Sequence, residues 1–158
     1  MGSTTILLLG IGNSIMGDDG VGIHVVRMLK KKIPARDDLE FKELSVGGLK
    51  LVEEILGYDK AFIIDSLDME HREIGRIRES SPEQLKATEQ SSPSPHVLNF
   101  ATALELYKRL KTSEIPGTIR IFTIDIDPDF TFREKLSPII QEAAANLVEM
   151  ITQHIKQL

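Results

Sequence analysis

Two aspartates and one histidine are the residues of this chain whose types and positions could do chemistry. Asp19 follows a glycine-rich loop, Asp65 ends a continuous apolar run, and His96 stands in a Ser-Pro-His sequence that opens a helical segment. Two carboxylate oxygens and one imidazole nitrogen suit nickel, zinc or another borderline divalent ion, with coordination positions left for a further ligand. Either carboxylate could also act as a general base. The sequence therefore predicts a site for metal-assisted or carboxylate-driven chemistry.

Each candidate also has an ordinary interpretation. Asp18 and Asp19 stand where a helix N-cap belongs, so both could be caps alone. Asp65 could be a turn acid at the end of a strand, and His96 an ordinary residue of a first helical turn. Asn13, inside the glycine loop, could adopt a left-handed turn conformation or could hold substrate. These alternatives stay open from the residues alone, although their combination favours a shared site.

The strands around these residues explain why the three side chains should meet. Residues 6–9 form an apolar run typical of a buried strand, and residues 60–65 form another. In an open α/β sheet, ligands bind at the carboxyl ends of the strands, where the following helices begin. The first and third strands are the predicted neighbours at the point where the strand order reverses. Asp19, Asp65 and His96 are therefore expected to face one crevice.

The alternation of apolar and polar segments predicts the whole architecture. We expect an α/β three-layer sandwich with a five-stranded, mostly parallel sheet, one antiparallel strand, and helices on both faces. The antiparallel strand follows the third strand after a link too short for a parallel crossover. Further strands are predicted at residues 39–46, 73–78 and 118–124. Helices are predicted directly after the glycine loop, at residues 49–56, from residue 95 until Pro116, and at residues 134–155. Residues 80–95 are predicted to form a polar loop with one possible helical turn at 82–86.

Length, charge and composition limit the class of protein. The chain has 158 residues, a length typical of one domain, so residues 1–158 are expected to form a single domain. Its net charge of −5 disfavours a nucleic acid or an anionic membrane as a partner. The absence of cysteine excludes disulfides, thiolate metal sites and cysteine-protease chemistry. With no apolar run long enough for a signal peptide or a membrane span, we expect a cytoplasmic protein.

The glycine loop resembles two nucleotide-binding motifs but departs from both. Gly12 and Gly17 have the spacing of a phosphate-binding loop, yet Asp18 and Asp19 stand where that loop needs Lys and Ser or Thr. In the dinucleotide-binding motif, the third glycine position is taken by Ile15. Two adjacent carboxylates would repel a polyphosphate, so the loop favours a cation over a nucleotide.

The same loop is similar to the GxGN…DDGxG signature of hydrogenase maturation endopeptidases. Residues 10–13 read GIGN and residues 17–22 read GDDGVG. The signature is long and specific, and the resemblance covers most of the chain. It implies a five-stranded sheet flanked by helices, and an endopeptidase that trims the C-terminus of nickel-iron hydrogenase large subunits.

The resemblance also implies roles for individual residues. Asp19, Asp65 and His96 occupy the places of the family's metal-binding residues. Gly47 and Gly48 would lie beside the cleft and let the substrate backbone approach closely. In this chain the two glycines follow the sequence ELSV, whereas relatives have an Asp-Gly-Gly-Thr-like stretch after the second strand.

The nature of the donors bears on the metal and the reaction. The family's substrate holds nickel through cysteine thiolates, which bind such an ion more firmly than two oxygens and one nitrogen can. We therefore expect nickel to arrive with the large-subunit precursor, although zinc or cadmium could take its place. Cleavage could use Asp19 or Asp65 as an aspartyl-type base, a metal-polarised carbonyl or a metal-bound water. The protein is expected to act as a monomer, and a non-enzymatic metal-sensing or scaffold protein is the alternative.

Overall fold

The computed structural model of the chain describes residues 2–68, 73–87, 95–110, 113–128 and 131–158, with the backbone alone at 85–87 and 95–99. Within these ranges, strands and helices alternate along the sequence. The strands are β1 (Ile6–Ile11), β2 (Leu39–Leu44), β3 (Lys60–Leu67), β4 (Ile77–Ser80) and β5 (Thr118–Asp125). The helices are α1 (Val21–Lys32), α2 (Leu49–Ile55), α3 (Pro82–Ala87), α4 (Pro95–Arg109) and α5 (Pro138–Lys156), and a short 3-10 helix, Gly17–Gly20, precedes α1.

The strands form one mixed sheet in the order β2-β1-β3-β5-β4. β1 pairs in parallel with both β2 and β3, and β3 pairs in parallel with β5. β4 is antiparallel and pairs with β5 at the edge of the sheet. It cannot lie beside β3, because β1 and β5 already occupy both sides of that strand. The predicted α/β fold, with its mostly parallel sheet and single antiparallel strand, is confirmed.

The two faces of the sheet are covered by different helices. α1 and α5 pack on one face, where their apolar residues meet Phe62 and Ile64 of β3. α2 and α4 pack on the other face, which receives Ile63. Since side chains alternate between the faces of a strand, Asp65 lies on the face that α2 and α4 cover. This placement matters because α4 carries His96 in its first turn.

Three strand ends differ from the sequence prediction. β1 continues through Gly10 to Ile11, because those residues still pair with β2. β3 continues past Asp65 to Leu67, since its last residues still pair with β5. The prediction that Asp65 ends its strand is therefore wrong, although it lies near the carboxyl end. β2 ends earlier than predicted, at Leu44.

The predicted strand at residues 73–78 is displaced to Ile77–Ser80. The backbone N–H of Arg76 donates to the carbonyl of Glu73, at 2.9 Å, and closes a turn there instead. Gly75 lies inside this turn with a φ of 88°, a conformation that glycine adopts without strain.

The helices mostly begin at their predicted positions, but α4 ends at Arg109 and not at the predicted Pro116. The helical turn predicted at 82–86 is confirmed as α3. α5 begins at Pro138 instead of residue 134, because the residues before it bond to the glycine loop. Ser94, the predicted N-cap of α4, lies outside the described residues. None of the helices in the described ranges has the length and apolar character needed to cross a membrane.

Candidate functional site

Helix α1 starts in direct contact with the backbone of the sheet, and Gly22 makes this contact possible. A Cβ added to Gly22 would lie 2.3 Å from the carbonyl oxygen of Ile64 and 2.5 Å from that of Ile11. On strand β1, a Cβ added to Gly10 would lie 2.4 Å from the carbonyl oxygen of Gly22 in α1. Any side chain at these positions would push the helix away. The contact brings the 3-10 helix that carries Asp19 against β3.

Asp19 is held within the glycine loop by its neighbours. Its Oδ2 accepts a hydrogen bond from the backbone N–H of Asn13 at 3.1 Å. Its carbonyl oxygen lies so close to Gly12 that a Cβ there would be 2.3 Å away, and Gly12 has a φ of 149° that few other residues adopt. The Asp19 side chain remains partly exposed. Its carboxylate is therefore oriented and still within reach of solvent.

The N-cap interpretation of the two acids is wrong. The N-cap of α1 is Gly20, which makes no side-chain capping bond. A one-turn 3-10 helix separates the loop from α1, so Asp18 and Asp19 precede the capping position and bond elsewhere. Asp19 bonds within the loop, and Asp18 bonds to Ser137 at the start of α5.

Asp65 is fully buried, with none of its surface exposed. Its Oδ1 accepts a hydrogen bond from the backbone N–H of Ser66 at 2.7 Å. Its register partner on β5 is Thr123, which is also buried. A buried carboxylate is unfavourable unless hydrogen bonds, a counter-charge or a proton compensates for lost water. Because Asp65 lies within β3 and is buried, its interpretation as a turn acid is wrong.

His96 is the second residue of α4, at the end of the helix that faces the carboxyl edge of the sheet. The direction of α4 follows from its last part, since Leu104 and Lys108 line a pocket together with Thr118 at the start of β5, so the helix begins towards the carboxyl edge. Its backbone is therefore on the same face and edge as Asp65. Among the residues whose side chains are described, no cluster of three His, Cys, Asp or Glu is arranged to hold a metal, and the His96 imidazole lies outside that set. The three-residue metal site stays a prediction.

Gly47 and Gly48 connect β2 to α2 at the same edge of the sheet. Gly48 is the N-cap of α2 and has a φ of 62°. It also lines a groove of about 650 Å³ between the start of α2 and the exposed side of α4. The groove is lined by Gly48, Leu49, Thr102, Ala103, Glu105, Leu106 and Arg109. A role for Gly47 and Gly48 in binding substrate stays a prediction.

Asn13 uses its side chain in the turn. Its Oδ1 accepts a hydrogen bond from the backbone N–H of Ile15 at 3.2 Å, and its carbonyl oxygen accepts one from Met16. This is the local bonding expected of an Asx turn. Asn13 therefore closes a turn with its side chain, whereas its left-handed conformation and its contact with substrate stay predictions.

Two carboxylates at this edge are buried, which the sequence did not predict. Asp125, predicted to start an acidic turn, is the last residue of β5 and is fully buried. It accepts two hydrogen bonds from Arg78, at 2.8 and 2.9 Å, and these raise the pKa of the Arg78 guanidinium. Asp18 is likewise buried and bonds to Ser137. Neither pair has a local sequence signal, because each joins segments far apart in the chain.

The fold and the site together define a class of protein: a three-layer α/β sandwich with carboxylates at the carboxyl edge, where β1 and β3 lie side by side. A family model described as HycI, hydrogenase maturation protease, matches residues 23–154. The chain therefore belongs to the hydrogenase maturation proteases, as its glycine loop predicts. Asn13 and Asp19 precede the matched residues.

Individual relatives agree with this assignment. The chain is 23% identical over 151 residues to the hydrogenase 2 maturation protease of Escherichia coli, with 91% of each chain covered. It is 28% identical over 158 residues to a putative hydrogenase maturation protease of Methanocaldococcus jannaschii, with 96% of this chain and 97% of the relative covered.

Solved structures show the same fold. The hydrogenase maturating endopeptidase HybD from E. coli superposes with a TM-score of 0.81 at 21% identity, covering 98% of this chain and 93% of HybD. The [NiFe] hydrogenase maturation protease HycI from Thermococcus kodakarensis KOD1 gives a TM-score of 0.71 at 25% identity, covering 98% and 94%.

Proposed function

We propose that this protein is an endopeptidase that removes the C-terminal extension of a nickel-iron hydrogenase large-subunit precursor after nickel insertion. Membership of the hydrogenase maturation proteases supports a peptidase acting on a hydrogenase precursor. The observation that carries the proposal is the placement of an oriented Asp19, in the loop after β1, and of a buried Asp65, near the end of the neighbouring strand β3, at one edge of the sheet.

The donor set supports nickel as part of the substrate. Asp19, Asp65 and His96 offer oxygen and nitrogen donors, and the chain has no cysteine. Such a site binds nickel less firmly than thiolates do. We therefore assign the ion to the loaded precursor, with these three residues completing its coordination. Zinc or cadmium would occupy the same donors in its absence.

The two aspartates are suited to different parts of an aspartyl-type cleavage. Asp19 is partly exposed, so its carboxylate can reach a water molecule beside the scissile carbonyl. It takes one proton from the water as the oxygen bonds to the carbonyl carbon, and gives that proton to the leaving amine when the C–N bond breaks. Asp65 is buried and its Oδ1 accepts the Ser66 N–H, so its carboxyl group would hold a fixed position as the second oxygen donor to the ion.

The substrate chain is proposed to pass over Gly47 and Gly48 into the groove along α4. Gly48 lines that groove and has no side chain to obstruct a backbone. Leu49 and Leu106 line it as well and are each about half exposed, at 48% and 53%. They provide apolar surface for residues of the extension. Asn13 would contact the substrate from the opposite loop.

We further propose that the reaction takes place in the cytoplasm and that the enzyme acts as a monomer. The net charge of −5 agrees with a protein partner instead of a nucleic acid or an anionic membrane. A single active site contained in one chain requires no second copy.

The test is a pair of incubations followed by mass spectrometry of the large subunit. Metal-stripped enzyme is mixed with nickel-loaded precursor, and nickel-treated, desalted enzyme is mixed with metal-free precursor. We expect loss of the C-terminal extension only in the first mixture. Efficient cleavage in the second would mean that the enzyme carries its own catalytic metal. A precursor that binds but stays intact in both would identify a non-enzymatic scaffold or metal sensor instead.

A further inference from the structure

We infer that Asp18 is a positioning residue, which together with Ser137 fixes the loop that presents Asp19. The inference rests on the proposed function in one respect, the participation of Asp19 in the reaction. The geometry on which it stands is independent of that function. Asp18 and Asp19 are adjacent and chemically identical, but the structure gives them different surroundings.

Asp18 joins the glycine loop to the start of α5. Its side chain is buried, with 6% of its surface exposed. Its Oδ1 accepts a hydrogen bond from the backbone N–H of Ser137 at 2.7 Å, and its Oδ2 accepts one from the Ser137 hydroxyl, also at 2.7 Å. Both carboxylate oxygens therefore bond to one residue that lies 119 positions further along the chain.

Arg133 supports the same junction from the backbone and from its side chain. Its carbonyl oxygen accepts a hydrogen bond from the N–H of Gly17 at 2.7 Å, and its own N–H donates to Ile15 at 2.8 Å. One guanidinium nitrogen lies 3.9 Å from Oδ2 of Asp18. The glycine loop is thus held by Arg133 at Ile15 and Gly17, and by Ser137 at Asp18.

Ser137 departs from the usual behaviour of a helix cap in order to make this contact. A serine at the N-cap normally accepts a hydrogen bond from an N–H of its own first turn. The Ser137 side chain makes no such bond, and its hydroxyl donates to Asp18. The Asp18 carboxylate in turn lies at the positive end of the α5 dipole. The Ser137 hydroxyl therefore fixes the glycine loop through Asp18 and does not cap α5.

The position of Asp19 depends on this junction because the loop is short and continuous. The backbone N–H of Asp19 donates to the carbonyl oxygen of Met16, which directly follows Ile15 in the loop. The Asp19 carboxylate accepts a hydrogen bond from the backbone N–H of Asn13. Releasing Asp18 would free the 3-10 helix from α5 and let the Asp19 carboxylate leave the Asn13 N–H. A displacement of about 1 Å of a reacting group can lower a rate about 100-fold.

The first test measures the Asn13 amide, which reports on Asp19 without any substrate. Hydrogen exchange and the amide chemical shift of Asn13 are recorded for the full chain, with Asp19→Ala defining the released signal. We expect Asp18→Ala to move both readings towards that signal, and Ser137→Ala to move them part of the way. Thr152→Val is the matched control, because it removes a buried hydroxyl that bonds within α5 itself. Unchanged Asn13 readings in Asp18→Ala would overturn the inference.

The second test separates positioning from direct participation. Asp18→Asn keeps an acceptor for the Ser137 N–H and an amide that can donate to the Ser137 oxygen, but it has no charge. We expect Asp18→Ala to lower kcat for precursor cleavage about 100-fold with KM changed less than about twofold, and Asp18→Asn to restore most of kcat. An Asn variant as impaired as the Ala variant would show that the Asp18 charge itself acts, and would overturn the inference.

The two tests fail in distinguishable ways. A wild-type protein that cleaves no precursor refutes the proposed function, while the Asn13 measurement still decides whether Asp18 positions Asp19. If Asp18→Ala does not fold, the Asn13 amide is measured in Ser137→Ala, which removes the hydroxyl that bonds to Asp18. An Asn13 signal in Ser137→Ala that matches the wild type would then count against the inference.

Discussion

The connection from β1 to α1 and the connection from β2 to α2 both lead from a parallel strand through glycines into a helix, but they are built differently. In the first, Gly10, Gly12 and Gly22 are pressed against backbone atoms, and Asp18 and Asp19 are hydrogen-bonded. In the second, the residues around Gly47 and Gly48 are open to solvent, and Val46 and Leu49 are about half exposed.

This difference separates two tasks at one edge of the sheet. A group that takes part in bond breaking must be held within a fraction of an ångström, which the first connection achieves through close contacts. A surface that receives an extended peptide needs apolar area and an open backbone, which the second connection provides. Local stability is expected to follow the same division, since exposed segments with few buried contacts open more readily.

The largest expected effect comes from removing a donor of the predicted metal site, to which the first region contributes Asp19. Asp65→Asn, Asp19→Asn and His96→Ala should each abolish detectable binding of nickel or cadmium in calorimetric titrations, and precursor cleavage with it. Stability should change little, because neighbouring carboxylates without a metal repel each other. Melting temperatures are measured alongside, and Asp37→Asn, at an exposed position, serves as the control. If all three variants bound nickel or cadmium as the wild type does, the assignment of Asp19, Asp65 and His96 to a metal site would be wrong.

The next effect concerns the contact between α1 and the sheet. Gly22→Ala would place a Cβ within 2.5 Å of two backbone oxygens, so the helix must shift. We expect a loss of about 3 kcal/mol in the free energy of unfolding, measured with urea, as for a severely overpacked core. Gly117→Ala is the control, because a Cβ there meets nothing within 4 Å. Equal stability of the two variants would mean that the first connection is less rigid than we describe.

A smaller effect should come from the groove of the second region. Leu106→Glu places a charge among its apolar residues and should raise KM for the precursor about tenfold at unchanged kcat, since losing the burial of one leucine weakens binding by about 1.5 kcal/mol or more. Leu110→Glu is the matched control: Leu110 follows the end of α4, is 67% exposed and does not line the groove. The two variants are compared in steady-state cleavage assays. Similar KM values would place the substrate elsewhere.

The smallest effect concerns His24 on α1. Burial, followed by the charge of Arg27, lowers the pKa of His24 below its ordinary value of 6.5. The folded protein therefore favours neutral His24, and the unfolded chain binds a proton more readily as the pH falls below 6.5. This contribution to stability is present above that pH and is lost below it. Urea midpoints at about pH 8 and about pH 5 should differ less in His24→Gln than in the wild type.

The sequence predicted the elements that carry the site better than the contacts that hold it. The apolar runs at 6–9 and 60–65 have the length and composition of buried strands, and their adjacency follows from the rules of open α/β sheets. The different environments of Asp18 and Asp19 could not be predicted, because the partner of Asp18 is 119 residues away. For the same reason α5 starts later than its apolar pattern indicates: the residues before Pro138 are held by the glycine loop.

The short antiparallel strand β4 has a consequence for the exposed edges of the sheet. An unpaired strand edge is a template on which another chain can add a strand. β4 covers β5, and Glu79 on β4 forms an ion pair with Arg120 of β5 at 2.5 Å. At the opposite edge, β2 carries charged side chains at Glu40, Lys42 and Glu43. Both edge strands therefore carry charged side chains, which disfavour the addition of a strand from another chain.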